Sequence, residues 1–99
     1  MNSTVRVVSF EATPLKGTRA AEATSGAFAK VYLLASSDEF ARQQAEREVL
    51  DAGWTLASPQ QVVVVSPESF LDDSDGLSHY EQCLADGVVV VLHAWREEH

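Results

Sequence analysis

Two valine-rich runs dominate the sequence: VVVVLHAW, residues 88–95, and the shorter QVVVVS, residues 61–66. A strand with one face in water alternates apolar and polar side chains, whereas both of these runs place valine on both faces. Each run therefore predicts a strand that needs apolar cover on two sides. Because a membrane-spanning helix needs about 20 apolar residues, we expect neither run to cross a bilayer.

A segment with strong helix signals stands between the first two strands and the first valine run. Ser36 and Glu39 have the spacing of a capping box. Ala41, Ala45 and Val49 then recur every four residues and form one apolar stripe. A glycine at position 53 predicts a left-handed end to this helix.

A second helix is predicted in front of the last valine run, over about residues 77–86. Its apolar side would consist of Leu77, Tyr80 and Leu84, and Gly87 would end it. The acidic stretch DDSDG, residues 72–76, precedes this helix and is typical of a break in the chain.

The other strands are predicted from weaker sequence patterns. Residues 5–12 and 27–35 each read as a strand, and residues 13–26 between them predict a long loop, with a helical turn over residues 19–23 as the alternative. A further strand starts at Trp54 and is interrupted at Pro59, because proline cannot donate a backbone hydrogen bond to a sheet.

The order strand, strand, helix, strand, helix, strand predicts one α+β domain over residues 1–99. We expect a mixed four-stranded sheet with two helices on one face, a ferredoxin-like open sandwich. Helices on one face would leave the second face of the valine strands bare, which predicts a homodimer that packs sheet on sheet. The alternatives are one helix on each face, or cover from the loop at residues 13–26.

Charge narrows the classes of partner. The chain has 99 residues and a formal charge of −8, and residues 48–99 contain ten acids against one base, Arg96. Such a surface repels phosphate backbones, so we expect no nucleic-acid binding, whereas a basic protein partner is compatible. A single cysteine, Cys83, and the lack of a basic and apolar leader favour the cytoplasm.

The first interpretation of function is a non-enzymatic protein-interaction or regulatory domain, of the inhibitor or immunity type. An acidic surface speeds the encounter with a basic partner. A domain that only forms oligomers is a further possibility. The candidate contacts are the acids of the second half of the chain: Glu68, Asp72, Asp73, Asp75, Glu81 and Asp86.

The alternative interpretation is a small dimeric enzyme or ligand-binding barrel with a pocket near His93 and Trp95. These two residues share one face of the last strand, and the pocket would also include His79 and Tyr80. Cys83 lies one helical turn after His79, but no oxyanion donors accompany the pair.

The sequence offers no other reactive pattern. A calcium loop built on DDSDG fails, because its register would place Leu71 and Gln82 where carboxylates are required. No spacing indicates a metal site, a nucleotide loop or a catalytic set. We therefore expect no catalytic residue and no cofactor.

Overall fold

The structure is a computed structural model, and it describes residues 4–15 and 26–95. It is an α+β domain, and its strands and helices are β1 (Thr4–Pro14), β2 (Gly26–Ala35), α1 (Asp38–Asp51), β3 (Trp54–Leu56), β4 (Gln61–Val64), a 3-10 helix (Pro67–Phe70), α2 (Ser74–Asp86) and β5 (Val88–Trp95).

The strands form one sheet in which every observed pair is antiparallel. The order is β3-β1-β2-β5, and β4 pairs with the same edge of β1 as β3 does. The sequence predicted a mixed sheet of four strands, whereas the described residues form five antiparallel strands. The ferredoxin-like strand order is not confirmed.

The fifth strand arises from the interruption at Pro59. β3 and β4 lie end to end along β1, and the backbone between them stays attached to Glu11. The N–H of Ala57 donates to the Glu11 carbonyl at 2.8 Å, and the N–H of Glu11 donates to the Ser58 hydroxyl at 2.7 Å. The break falls on an edge strand, which is where a sheet tolerates proline.

Helix α1 covers one face of the sheet. Its stripe of Ala41, Ala45 and Val49 is fully buried, as the spacing predicted. The stripe packs against the even-numbered residues of β1 and the odd-numbered residues of β2, among them Val8 and Leu33. This cluster is the larger of the two cores.

Helix α2 covers the opposite face. Cys83 of α2 forms a second core with Val5, Val7 and Tyr32, whose side chains lie on the other side of the sheet from the α1 cluster. The prediction of two helices on one face is therefore wrong, and the alternative of one helix on each face is confirmed. The valines of β5 pack against both clusters, so each side of this strand receives cover from a helix layer. The expectation of cover on two sides is wrong for β4, where Val63 and Val64 are each 55% exposed.

Capping residues define the helix boundaries, and two of these boundaries differ from the prediction. Ser37, rather than Ser36, caps α1 and accepts from the N–H of Phe40 at 3.1 Å. α2 begins at Ser74 instead of Leu77, because the acidic stretch starts the helix rather than breaking it. Gly53 and Gly87 follow the two helices with φ values of 93° and 88°, in the left-handed region that the sequence predicted.

The inward face of α2 matches the prediction only in part, because Tyr80 packs against the second core whereas Leu84 does not. Gly76 and Cys83 are buried, whereas Leu84 is 53% exposed. A Cβ on Gly76 would lie 2.6 Å from a ring atom of Phe70, so glycine allows the 3-10 helix to pack closely against the first turn. Cys83 comes seven residues after Gly76 and therefore lies on the same buried face of the helix, whereas Leu84 lies outside that face.

Two earlier expectations change with this architecture. Because α2 covers the face that was expected to be bare, that face no longer favours a homodimer. Of the loop expected at residues 13–26, Thr13 and Pro14 belong to β1 and Gly26 belongs to β2. Residues 16–25, including the alternative helical turn, lie outside the described residues.

A pair of leucines tests the position of the core. Leu33 is 1% exposed within the α1 cluster, whereas Leu71 is 82% exposed. We expect Leu33→Ala to lower the free energy of unfolding by about 2–5 kcal/mol, because it leaves a cavity. Leu71→Ala should change it by less than about 0.5 kcal/mol. Urea unfolding measures both, and equal losses would contradict the assigned core.

Candidate functional site

The acids predicted to bind a partner lie along α2 and the turn before it. Glu68 is in the 3-10 helix, Asp72 and Asp73 precede α2, and the other three belong to α2. All six carboxylates are exposed. We call this set the acidic face: Glu68, Asp72, Asp73, Asp75, Glu81 and Asp86.

Two members of the acidic face have structural partners. The Asp73 side chain caps α2 by accepting from the N–H of Gly76 at 2.9 Å. A carboxylate there also suits the positive end of the helix dipole. The Asp86 carboxylate accepts from the side-chain amide of Gln82, one turn earlier.

Neighbouring hydrogen-bond donors favour the ionised form of the Glu68 carboxyl group. A hydrogen bond from its own backbone N–H, followed by one from the Ser66 hydroxyl, lowers the pKa of the Glu68 carboxyl. This side chain therefore stays ionised over a wider range of pH than an ordinary glutamate.

No cation from the same half of the chain neutralises the acidic face. Residues 48–95 contain no lysine and no arginine. Within the described residues, the observed ion pair joins Arg6 to Asp38 at 3.0 Å. That arginine also binds the Ala35 carbonyl, so it ties β1, β2 and the start of α1 together.

A cleft beside α2 brings together two of the four residues predicted for a ligand pocket. The cleft has a volume of about 200 Å³, and His79 and His93 both line it. Lys30, Tyr32, Asp73 and Asp75 complete its polar wall. The His79 ring packs against that of Tyr32, with 5.4 Å between the ring centroids.

The other two predicted pocket residues lie elsewhere. Tyr80 lines a separate cleft of about 390 Å³ near Val65 and Leu84, and its ring packs 5.8 Å from that of Phe70. Trp95 covers Gly26 on the neighbouring strand, where an added Cβ would lie 2.8 Å from the indole. The structure therefore does not unite all four residues in one pocket.

Sequence reasoning missed Lys30 and Tyr32 as cleft residues. Both are on β2, and register places Lys30 beside Val91 and Tyr32 beside Val89. The available signal was a lysine within an otherwise apolar strand, which indicates that this stretch of the face reaches water. Burial, and then the nearby charge of Asp73, raises the pKa of the Tyr32 phenol.

Cys83 does not form a nucleophilic pair with His79. The thiol is fully buried and lies 3.8 Å from the carbonyl oxygen of Gly87, to which it donates. Burial raises the pKa of the Cys83 thiol, which disfavours the reactive thiolate. The cysteine therefore acts as a core side chain of the α2 face.

Comparison with known proteins gives no relative, because no family model, curated protein or solved structure matches the chain. In residues 4–15 and 26–95, no group of three or more histidine, cysteine or acidic side chains is placed to hold a metal ion. The helices of this part of the chain are all too short or too polar to span a membrane.

The raised pKa of Cys83 makes a prediction about stability and pH. The native thiol holds its proton more tightly than the unfolded one, which titrates near about 8.5. The contribution of this protonated thiol to the free energy of unfolding is therefore complete below that pH. It is lost as the pH rises toward the native pKa of Cys83.

Urea unfolding between neutral pH and pH ~9.5 measures this loss. Cys83→Ala is the control, since it removes the thiol and should flatten the decline over this range. A decline of the same size in the variant would assign the effect to another group.

Proposed function

We propose that this domain is a non-enzymatic protein-interaction or regulatory module, of the inhibitor or immunity type, that binds a basic partner through its acidic face. One observation carries the proposal. The six carboxylates are exposed along the 3-10 helix, α2 and the turn between them, and residues 48–95 contain no lysine or arginine. Lys30 of β2 lines a cleft with two of them, Asp73 and Asp75.

Electrostatics supports this surface as a docking face. The chain carries a formal charge of −8, so its field attracts cations from a distance. Complementary charge mainly accelerates encounter, and salt screens it, with a Debye length of about 30 Å at 0.01 M and about 3 Å at 1 M. Binding of a basic partner should therefore depend steeply on ionic strength.

The environment of Cys83 supports the non-enzymatic part of the proposal. The one thiol of the chain is buried with a raised pKa, and His79 packs on Tyr32 rather than activating that thiol. A free buried thiol also suits a reducing compartment, so we place the domain in the cytoplasm as part of the same proposal.

A second candidate is ligand binding in the cleft of His79 and His93. The convergence of Lys30 with both imidazoles on about 200 Å³ favours it. That volume lies below the range of about 300–1,000 Å³ that is usual for small-molecule sites. The acidic face therefore remains the stronger candidate.

A charge-matched pair of variants tests the acidic face. The test variant removes three charges by Asp72→Asn, Asp75→Asn and Glu81→Gln. It leaves Asp73 in place because this side chain caps α2, and Glu68 because its carboxylate accepts a hydrogen bond from Ser66. The control removes three exposed charges from α1 by Glu39→Gln, Glu46→Gln and Asp51→Asn.

Immobilised domain is incubated with lysate of the source organism at ~0.01 M and ~1 M salt, and retained proteins are identified by mass spectrometry. We expect a basic protein that the wild type and the α1 control retain at low salt and the acidic-face variant loses. Retention of nothing basic at low salt would contradict the proposal, and so would equal losses in the two variants.

A further inference from the structure

The two edges of the sheet differ in how they are protected from other strands. The β3/β4 edge is short, and it is broken at Pro59. Among the described strands β5 forms the other edge, and its eight residues, VVVVLHAW, include no Asp, Glu, Lys, Arg or proline. Natural sheets usually blunt exposed edges with charges, prolines or bulges, because an open edge is a template for another strand.

The register shows which backbone groups of β5 face outward. The N–H of Leu34 donates to the Gly87 carbonyl at 3.2 Å, so these residues form a hydrogen-bonded pair. In an antiparallel ladder such pairs alternate with pairs that exchange no hydrogen bond. The pairing of β5 with β2 therefore directs outward the N–H and C=O groups of alternate residues: Val88, Val90, Leu92 and Ala94.

We propose that β5 pairs antiparallel with β5 of a second copy of this chain, about a twofold axis at Val91. This register sets Val88 opposite Ala94 of the partner subunit and Val90 opposite Leu92 of the partner subunit. It joins every outward N–H and C=O of the strand to a partner. The edge is thus self-complementary, as a twofold interface requires.

The occupant is a second copy because β5 meets the requirements of self-pairing without help from another surface. The strand contains no acidic residue, so it adds no repulsion between two acidic chains. Val88–Leu92 are each partly exposed, and a paired strand would cover them. This proposal is independent of the acidic face, and its salt dependence has the opposite sign, since screening should strengthen a dimer of two acidic chains.

Cysteine cross-linking tests the register. In a Cys83→Ala background, Val91→Cys would face its own copy at a non-hydrogen-bonded position, with Cα atoms about 4.5 Å apart. That separation permits a disulfide. Val89→Cys is the matched control on the same face, because two copies of residue 89 would lie roughly 14 Å apart. We expect oxidation to give a covalent dimer with Val91→Cys and not with Val89→Cys.

Light scattering tests the edge itself. We expect a mass of twice 10.8 kDa for the wild type, with dimerisation stronger at high salt. Ala94→Pro removes a backbone N–H that points away from β2, so it should lower the mass to that of the monomer. Ala94→Ser keeps the N–H and should remain dimeric.

Three outcomes overturn the proposal. One is a monomeric wild type at both salt concentrations. Another is a dimer that survives Ala94→Pro, with circular dichroism showing that the variant is folded. The last is a Val89→Cys chain that cross-links as readily as Val91→Cys. Loss of the basic partner in the acidic-face variant leaves the dimer mass unchanged, so the two proposals fail separately.

Discussion

Both faces of the central strand pair, β1 and β2, are apolar, and this property determines where the two helices pack. β1 buries Val8 and Phe10 on one side and Val5 and Val7 on the other. Burying apolar area contributes about 25 cal/mol per Å², and exposing either side to water would forfeit that stabilisation. Each face therefore needs its own helix, and the two long connections of the chain supply one helix to each side.

This arrangement also explains where the molecule is left open. α1 covers the longer core, which extends from Ala35 to Ala12 and Ala27, whereas α2 covers only the half of its face around Val5 and Tyr32. The other half carries Lys30 and His93, and it opens as the cleft beside α2. Lys30 and His93 thus meet Asp73, Asp75 and His79 beside the first turns of α2.

Local signals in the sequence predicted most of the elements. The stripe of Ala41, Ala45 and Val49, the stops at Gly53 and Gly87, the interruption at Pro59 and the bounds of β5 depend on neighbouring residues only. Choosing the face for α2 depends on a contact between distant residues, namely Cys83 with Val5 and Tyr32. The strand order depends on the same kind of contact, so local patterns left both open.

The candidate site, too, could be predicted from the sequence only in part. Exposure of the six acids could be predicted from their residue type, and it is observed. The cleft could not, because Lys30 and Tyr32 reach it from β2 while His79 reaches it from α2. The start of α2 was missed because Asp73 and Gly76 resemble a loop in sequence, although the aspartate caps the helix and the glycine admits Phe70.

The most direct test of this account is a set of NMR distance contacts from the two helices to the sheet. We predict nuclear Overhauser contacts from Ala45 of α1 to the cluster containing Val8 and Val31, and from Cys83 of α2 to the cluster containing Val5 and Val7. Contacts from both helices to residues of one cluster would contradict it, because one face of the hairpin would then lack cover.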